Sequence, residues 1–440
     1  MLYFAKKKAN ISKVLVLIHS PHTGPRLHYI LNYVLKERLG LDYRFAGTED
    51  HTGNGLVICY SEEAVAGGLH IKPLGLLNET GTAARTDEAE LCKPYNKITD
   101  TSLSQAYPDV FSAIFYHLSR YEEYLAPADL HGRFDHRSSC LFRHGLLNTP
   151  VADVWIERFR QDLERFSGLK LPASSVFRVD AGVDIDSVFA YKGKHAFRQA
   201  AAFAKDALSG RSGECLKRLR VLSGKTRDPN DNFELQQQIF GKLKATYFIQ
   251  VGPYGRFDKN VDPGNPDFQK IIRTLSANGH TIALHPSYGS DSRRNNIMAE
   301  KTILESIIKQ PVEHSRQHFL RFRLPETYRA LIACGIKHEH SMGYSEASGF
   351  RAGTAFPFPW YDLQAEAVTT LTVHPFAVMD VCYKHFMHMN VEDAMQVSSE
   401  IIAQCKAQNA PFAFVFHNES LSGHRGWENW DKVLSHWCNG

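Results

Sequence analysis

Ser175-Val176-Phe177-Arg178-Val179-Asp180-Ala181-Gly182-Val183-Asp184-Ile185-Asp186 is the stretch whose reading decides the fold. The apolar-leaning run Ser175–Val183 predicts a strand, and two carboxylates stand at its end. On an extended backbone, residues i and i+2 point to the same side, so Asp184 and Asp186 are held together. Mutual repulsion and desolvation make such a pair costly unless something uses it. A divalent cation can: one carboxylate binds it, and the other stays free as a base beside it. Aspartates flanking a surface turn are the ordinary alternative, and residues farther along the chain favour the cation.

Downstream, short apolar runs alternate with helical patterns. Val176–Val183, Ala245–Val251, His280–His285, His314–Phe322, Thr369–Met379 and Pro411–His417 read as strands. Phe233–Leu243, Pro266–Asn278, Asn296–Lys309, Pro325–Cys334 and Val391–Ala407 read as helices. Strand then helix, repeated, argues for an α/β domain with a largely parallel sheet. Six such strands in about 270 residues fit a closed or distorted barrel better than an open sheet, because barrels of this kind take about 250 residues. The polar stretch from Asp206 to Asp231 reads as a long connection over one rim.

Upstream, Lys13–His19 and Gly55–Tyr60 read as strands, and Leu27–Leu39 as a helix stopped by Gly40. Val110–Tyr124 and Trp155–Phe166 have amphipathic helical spacing. The Gly, Pro and Ser cluster at Ser167–Ser175 marks a boundary between a smaller α/β domain at residues 1–168 and a barrel domain at residues 169–440.

The 440 residues suggest about two or three domains, and a hydrophobic content of 43% is ample for packed cores. A formal charge of +4 is too weak to imply nucleic acid as the main partner. Lys6-Lys7-Lys8 and Arg293-Arg294 read as solvated surface. Met1–Lys13 lacks the continuous apolar core of a signal peptide, and Val14–Ile18 is too short to span a bilayer. Eight scattered cysteines without a C-x-x-C pair fit reduced thiols in a cytoplasmic protein, not a disulfide scaffold or a thiolate zinc site. The 22 histidines suit an ion bound through nitrogen and oxygen. Oligomeric state is not legible.

In barrels of this type, chemistry sits at the C-terminal ends of the strands. The polar residues there are Asp184 and Asp186, Gln250, His285-Pro286-Ser287-Tyr288, His314-Ser315-Arg316-Gln317-His318 with Arg321 and Arg323, and His417-Asn418-Glu419. Acids, histidines and arginine thus converge on one rim.

With these residues, the chain from about Val176 to Trp430 resembles the NodB-like polysaccharide deacetylases, the family-four carbohydrate esterases, whose fold is a distorted (β/α) barrel. Ala245-Thr246-Tyr247-Phe248 is similar to the family's Ala-Thr-Phe-Phe segment. Gly279-His280-Thr281-Ile282-Ala283-Leu284-His285 is similar to its Gly-His-Glu-Ile-x-x-His segment, Arg323-Leu324-Pro325 to its Arg-x-Pro motif, and Phe414-Val415-Phe416-His417 to its late strand ending in histidine. The resemblance implies a metal-dependent hydrolase that removes N-acetyl groups from an amino sugar in a polysaccharide or glycan precursor. It makes Asp184 the base, Asp186 and His285 metal ligands, and His417 the general acid. The ion implied is divalent, zinc first, with cobalt, nickel or manganese as substitutes. Asp180 competes weakly for the acidic role, and because the motif is Asp-Ile-Asp, base and ligand could be exchanged.

One departure concerns the ligands. The family's second histidine, four residues after the first, is Gly289 here. His318 is the replacement candidate, ahead of His374, His314 and a site completed by water. Arg316 or Arg323 could fix the carboxylate base, and a backbone N–H near Tyr247 or Tyr288 could bind the oxyanion. Arg351, Asn418 and Trp427 are candidates for substrate contact, with core packing or structural pairing as their ordinary alternatives.

A narrower resemblance is to bacterial two-domain members of the superfamily. It is carried by Leu118-Ser119-Arg120-Tyr121-Glu122-Glu123-Tyr124, His131-Gly132-Arg133-Phe134, Ser315-Arg316-Gln317-His318 and Gly349-Phe350-Arg351-Ala352-Gly353-Thr354. Arg120, Glu122 and Glu123 read as a solvated helix face or a domain contact. Two further function classes compete with the deacetylase: a catalytically impaired descendant that binds a glycan or partner, supported by Gly289, and a metal hydrolase of a cyclic amide or phosphoester.

Overall fold

A computed structural model describes residues 14–47, 56–93, 107–171, 175–424 and 426–440. The Lys6-Lys7-Lys8 cluster, the Met1–Lys13 segment and residues 172–174 of the Gly, Pro and Ser cluster lie outside the described residues. The chain forms two compact units that are not consecutive halves. One comprises residues 1–125, 151–176 and 360–369, and the other residues 126–150, 177–359 and 370–440.

The first unit is built on four parallel strands, β1 (Leu15–His19), β2 (Asp42–Phe45), β3 (Leu56–Tyr60) and β4 (Leu69–Ile71), in the order β2-β1-β3-β4. All five residues of β3, Leu-Val-Ile-Cys-Tyr, are buried, as an inner parallel strand covered on both faces requires. The sequence predicts one helix over Val110–Tyr124, but it stops at Leu118 because Arg120 turns left-handed, at φ 56°. Arg120 is also buried, with its guanidinium 3.0 Å from Glu122 and 2.8 Å from Glu123, so this is not the solvated face the sequence suggested.

The second unit holds a larger sheet with β5 (Arg178–Ile185), β6 (Thr246–Ile249), β7 (Thr281–Leu284), β8 (His314–Ser315), β9 (His338–Glu339), β10 (Phe358–Asp362), β11 (Ala367–Val373), β12 (Val378–Met379) and β13 (Pro411–His417). Their order is β10-β11-β9-β8-β7-β6-β5-β13-β12, and every pairing from β11 to β12 is parallel. The hairpin tip at 360–369 groups with the first unit. The α/β class and the parallel sheet are as the alternation predicts. Among the described residues, no pairing joins β10 to β12, so the closure that the strand count suggested is not seen. β8, β9 and β12 have two residues each. The run His314–Phe322, read as one strand, leaves the sheet after Ser315, because Phe319 and Leu320 adopt left-handed backbone. The stretch Asp206–Asp231, read as a connection, begins in the last turn of the helix Ala196–Leu208 and carries the helix Ser212–Leu222.

Six of the described cysteines are free thiols, whereas Cys92 and Cys140 are disulfide-bonded, which corrects the reading of the cysteines as reduced thiols. Disulfides are uncommon in a reducing cytosol, so the cysteines no longer support cytoplasmic residence. No described helix is long and apolar enough to cross a membrane.

Candidate metal centre

Strand register gathers the site within the second unit. In the β13–β5 pair His417 lies opposite Asp184, and in the β5–β6 pair Asp184 lies opposite Phe248, so all three side chains share one face. β7 ends just before His285, β8 just before Arg316, and β12 just before Asp380. Carboxyl ends of parallel strands therefore bring distant residues together, as in open α/β sheets generally.

Asp186, His285 and His318 each offer a ligand atom, and these atoms lie within 4.8 Å of one another. His285 Nε2 is 3.2 Å from Asp186 Oδ1, and His318 Nε2 is 3.5 Å from Asp186 Oδ2. The tautomers suit an ion. His285 Nδ1 lies 2.6 Å from the carbonyl oxygen of Arg316, which can only accept, so Nδ1 is the donor and a bare Nε2 lone pair faces Asp186. His318 Nδ1 lies 2.9 Å from Asp258 Oδ1, a carboxylate–histidine arrangement that fixes ring orientation and raises ligand basicity. Gln250 also donates to Asp258 Oδ1, at 2.8 Å. Asp186 Oδ1 is buried without a hydrogen-bond partner, an arrangement that needs a reason.

The charges point the same way. Asp184, Asp186, Asp258 and Asp380 converge, and among the described residues Arg316 is the guanidinium group that pairs with one of them. Burial alone would lift the Asp186 carboxyl and depress the His318 ring. Instead, the His318 charge, the close approach of the His285 and His318 rings and the His417 charge hold Asp186 well below the usual carboxylate range. Against the same burial, Asp186 and Asp258 raise His318 to about 9. The pocket thus favours added positive charge, which a divalent ion would supply in place of a proton. These donors fit such an ion, and the mixed nitrogen and oxygen set suits zinc or its divalent neighbours.

Beside this cluster, Arg316 Nη1 holds Asp184 Oδ1 at 2.5 Å, with both side chains 3% exposed. Arg316 Nε donates to the His340 carbonyl at 3.0 Å, and its guanidinium lies 3.9 Å from the centroid of Phe248. Gly182 makes room for it: a Cβ there would fall 2.6 Å from Nη2. Asp184 Oδ2 stays directed at His285 Nε2 (3.8 Å) and His417 Nε2 (4.0 Å). His417 Nδ1 donates to Asp380 Oδ1 at 2.7 Å, and the His417 N–H to Oδ2 at 2.6 Å. Burial would lower the His417 ring, but Asp380, followed by Asp186 and Asp184, lifts it to about 10.

Of the residues chosen from sequence, Asp184, Asp186, His285, Arg316, His318 and His417 come together. Tyr288 stands at the rim, with its hydroxyl 2.9 Å from His131 Nδ1. Others lie apart. Arg323 is 53% exposed and faces Asp291 at 3.6 Å, and Asp291 also takes Arg321. Tyr247 pairs with Val183, one position out of phase with Asp184, so its ring turns to the other face beside His280. Arg351 is buried, donating to the Gly343 carbonyl and stacking over Phe322. Asn418 ties together the Ser187 and Asn230 carbonyls. Trp427 packs on His385 and Trp430. His314 and His374 belong to a separate histidine cluster. Asp258 and Asp380 went unnoticed in the sequence, although Asp380 ends a predicted strand as Asp184 does.

Residues 16–167 match a family of unknown function (DUF7033). No curated protein matches the chain. Two solved structures provisionally assigned as polysaccharide deacetylases are similar. That from Mycobacterium smegmatis shares 14% identity over 61% of this chain and 86% of its own, with a TM-score of 0.39. That from Pseudomonas aeruginosa shares 13% identity over 60% and 84%, with a TM-score of 0.38. A polysaccharide deacetylase from Bacillus cereus shares 11% over 60% and 85%, with a TM-score of 0.28.

Proposed function

We propose that the chain is a metal-dependent deacetylase that hydrolyses the N-acetyl group of an amino sugar in a polysaccharide or glycan precursor. The observation that carries this reading is the juxtaposition of three convergent ligand atoms with an arginine-held carboxylate and a carboxylate-backed histidine. Asp186, His285 and His318 would hold the ion. What a bound divalent ion supplies there is Lewis acidity toward the acetamide carbonyl and the attacking water.

The chain's own residues supply the proton transfers. Asp184, with Oδ1 tied to Arg316 and Oδ2 open to the cavity, takes a proton from water as its oxygen attacks the carbonyl carbon. His417, charged at neutral pH and oriented through Asp380, gives its Nε2 proton to the nitrogen as the carbon–nitrogen bond breaks. Acetate and a free amino sugar result. Asp186 is 26% exposed while His285 and His318 are 2% and 4%, so substrate would enter from the Asp186 side.

The test is acetate release from N-acetylated oligosaccharides by the zinc-loaded full chain. Asp184→Asn and His417→Ala are expected to lose acetate release while keeping the ion. Parent-like rates in both variants would overturn the assignment.

A further inference from the structure

Phe319 follows the ligand His318 directly and combines features that packing alone does not explain. Its ring is 36% exposed. Its backbone is left-handed, at φ 61°, and Leu320 follows at φ 52°, a conformation costly for residues with bulky side chains. Strain of this kind persists where the surroundings over-determine it, and it clusters at functional sites.

The surroundings do over-determine it. Three rings flank Phe319, with centroids 5.2 Å (Phe257), 5.4 Å (Tyr288) and 5.5 Å (His131) away. Tyr288 is in turn fixed by the His131 contact and by Arg321, whose guanidinium lies 4.6 Å over its ring and whose Nη1 donates to its carbonyl at 2.7 Å. Arg321 Nε donates to the His131 carbonyl at 2.9 Å, and Arg133 donates to the Phe319 carbonyl at 3.4 Å. The wall and the ion site also share a residue: Asp258, which orients His318, accepts from the Tyr288 N–H at 2.9 Å. The motif His131-Gly132-Arg133-Phe134, which lies far upstream of the other site residues, thereby acquires a place within this unit.

We propose that Phe319 is the stacking platform for a pyranose ring neighbouring the sugar whose acetamide reaches the ion, and that His131 positions this platform through Tyr288. A half-exposed aromatic face held rigidly beside the ligands suits the apolar C–H face of a sugar, and it gives a chain of sugars more contact than a single one. The proposal rests on the deacetylase reading for the substrate's class.

The test titrates N-acetylglucosamine and its β-1,4-linked tetramer into the full chain, zinc-loaded and zinc-stripped, by calorimetry. The parent should bind the tetramer about tenfold tighter than the monosaccharide, the scale of one good aromatic contact. Phe319→Gly suits the left-handed backbone and removes only the ring; it should erase that preference without changing zinc stoichiometry, and Phe319→Trp should restore it. His131→Ala should raise KM with kcat held, and His131→Gln should recover part of the loss. An unchanged tetramer preference in Phe319→Gly, or no tetramer preference in the parent, overturns the platform. A Phe319-dependent preference without acetate release would leave the platform standing and overturn the deacetylase reading instead.

Discussion

Gly182→Ala adds one methyl group at the centre of the site. The new carbon would lie 2.6 Å and 2.8 Å from the two terminal nitrogens of Arg316 and 3.0 Å from the Phe414 carbonyl oxygen. The strand is pinned on both sides, so the guanidinium must move. Moving it breaks the 2.5 Å contact with Asp184, where both partners are 3% exposed. Separating a buried pair costs about 3–5 kcal/mol, and overpacking alone about 1–3 kcal/mol. A loss of about 3 kcal/mol is therefore expected in urea unfolding of the full chain, with acetate release falling because the Asp184 base is no longer held. Gly213→Ala is the control: no atom lies within 4 Å in the helix Ser212–Leu222, and a gain of about 0.5–1 kcal/mol is expected. In an Arg316→Ala background the Gly182→Ala cost should shrink to under about 1 kcal/mol, because the two sites couple through contact. An equal cost in both backgrounds would refute the reasoning.

Two further outcomes follow from the geometry. His314, His338, His340 and His374 form a closed ring of imidazoles, joined by 3.0 Å contacts between His314 and His340 and between His338 and His374, and stacked at 4.3 Å and 4.4 Å. Burial first, then neighbouring histidines, lowers His314 to about 4 and His374 to about 3. These groups fold neutral and charge on unfolding, so their contribution is complete above about pH 6.5 and falls away as pH drops toward 4, by about 2 kcal/mol for each ring still neutral at pH 4.5. Urea titrations across that range should show the decline, and His374→Gln should flatten it; a pH-independent midpoint contradicts this. Asp380→Asn leaves His417 without its charged partner and confronts buried donors with an amide, so the alkaline limb of the pH–rate profile should move down and the rate should fall about 100-fold or more. An unmoved limb would remove Asp380 from the mechanism.

The sequence reveals residues whose position follows from local periodicity. Asp184 and Asp186 are found because i and i+2 share a strand face, and His285 and His417 because each ends an apolar run. His318 is found as the replacement for the histidine missing at Gly289, although the predicted strand His314–Phe322 that carries it is shorter than it looks: the left-handed turn at Phe319 has no glycine or asparagine to announce it. Asp258, Asp380 and Gly182 act through partners 60, 37 and 134 positions away, and pattern within a window cannot show such contacts. Tyr247 fails for a related reason, since its face depends on register with β5 and not on its own segment. Arg323 matches a motif, yet the turn before it carries it to the surface.

Calorimetric titration of zinc into the stripped full chain, with bound ion counted by mass spectrometry, tests the central claim most directly. One ion per chain is expected in the parent, in Asp184→Asn and in His417→Ala, with none retained in Asp186→Ala, His285→Ala or His318→Ala. A parent that takes up no divalent ion, or ligand variants that hold it as tightly as the parent, would contradict the account.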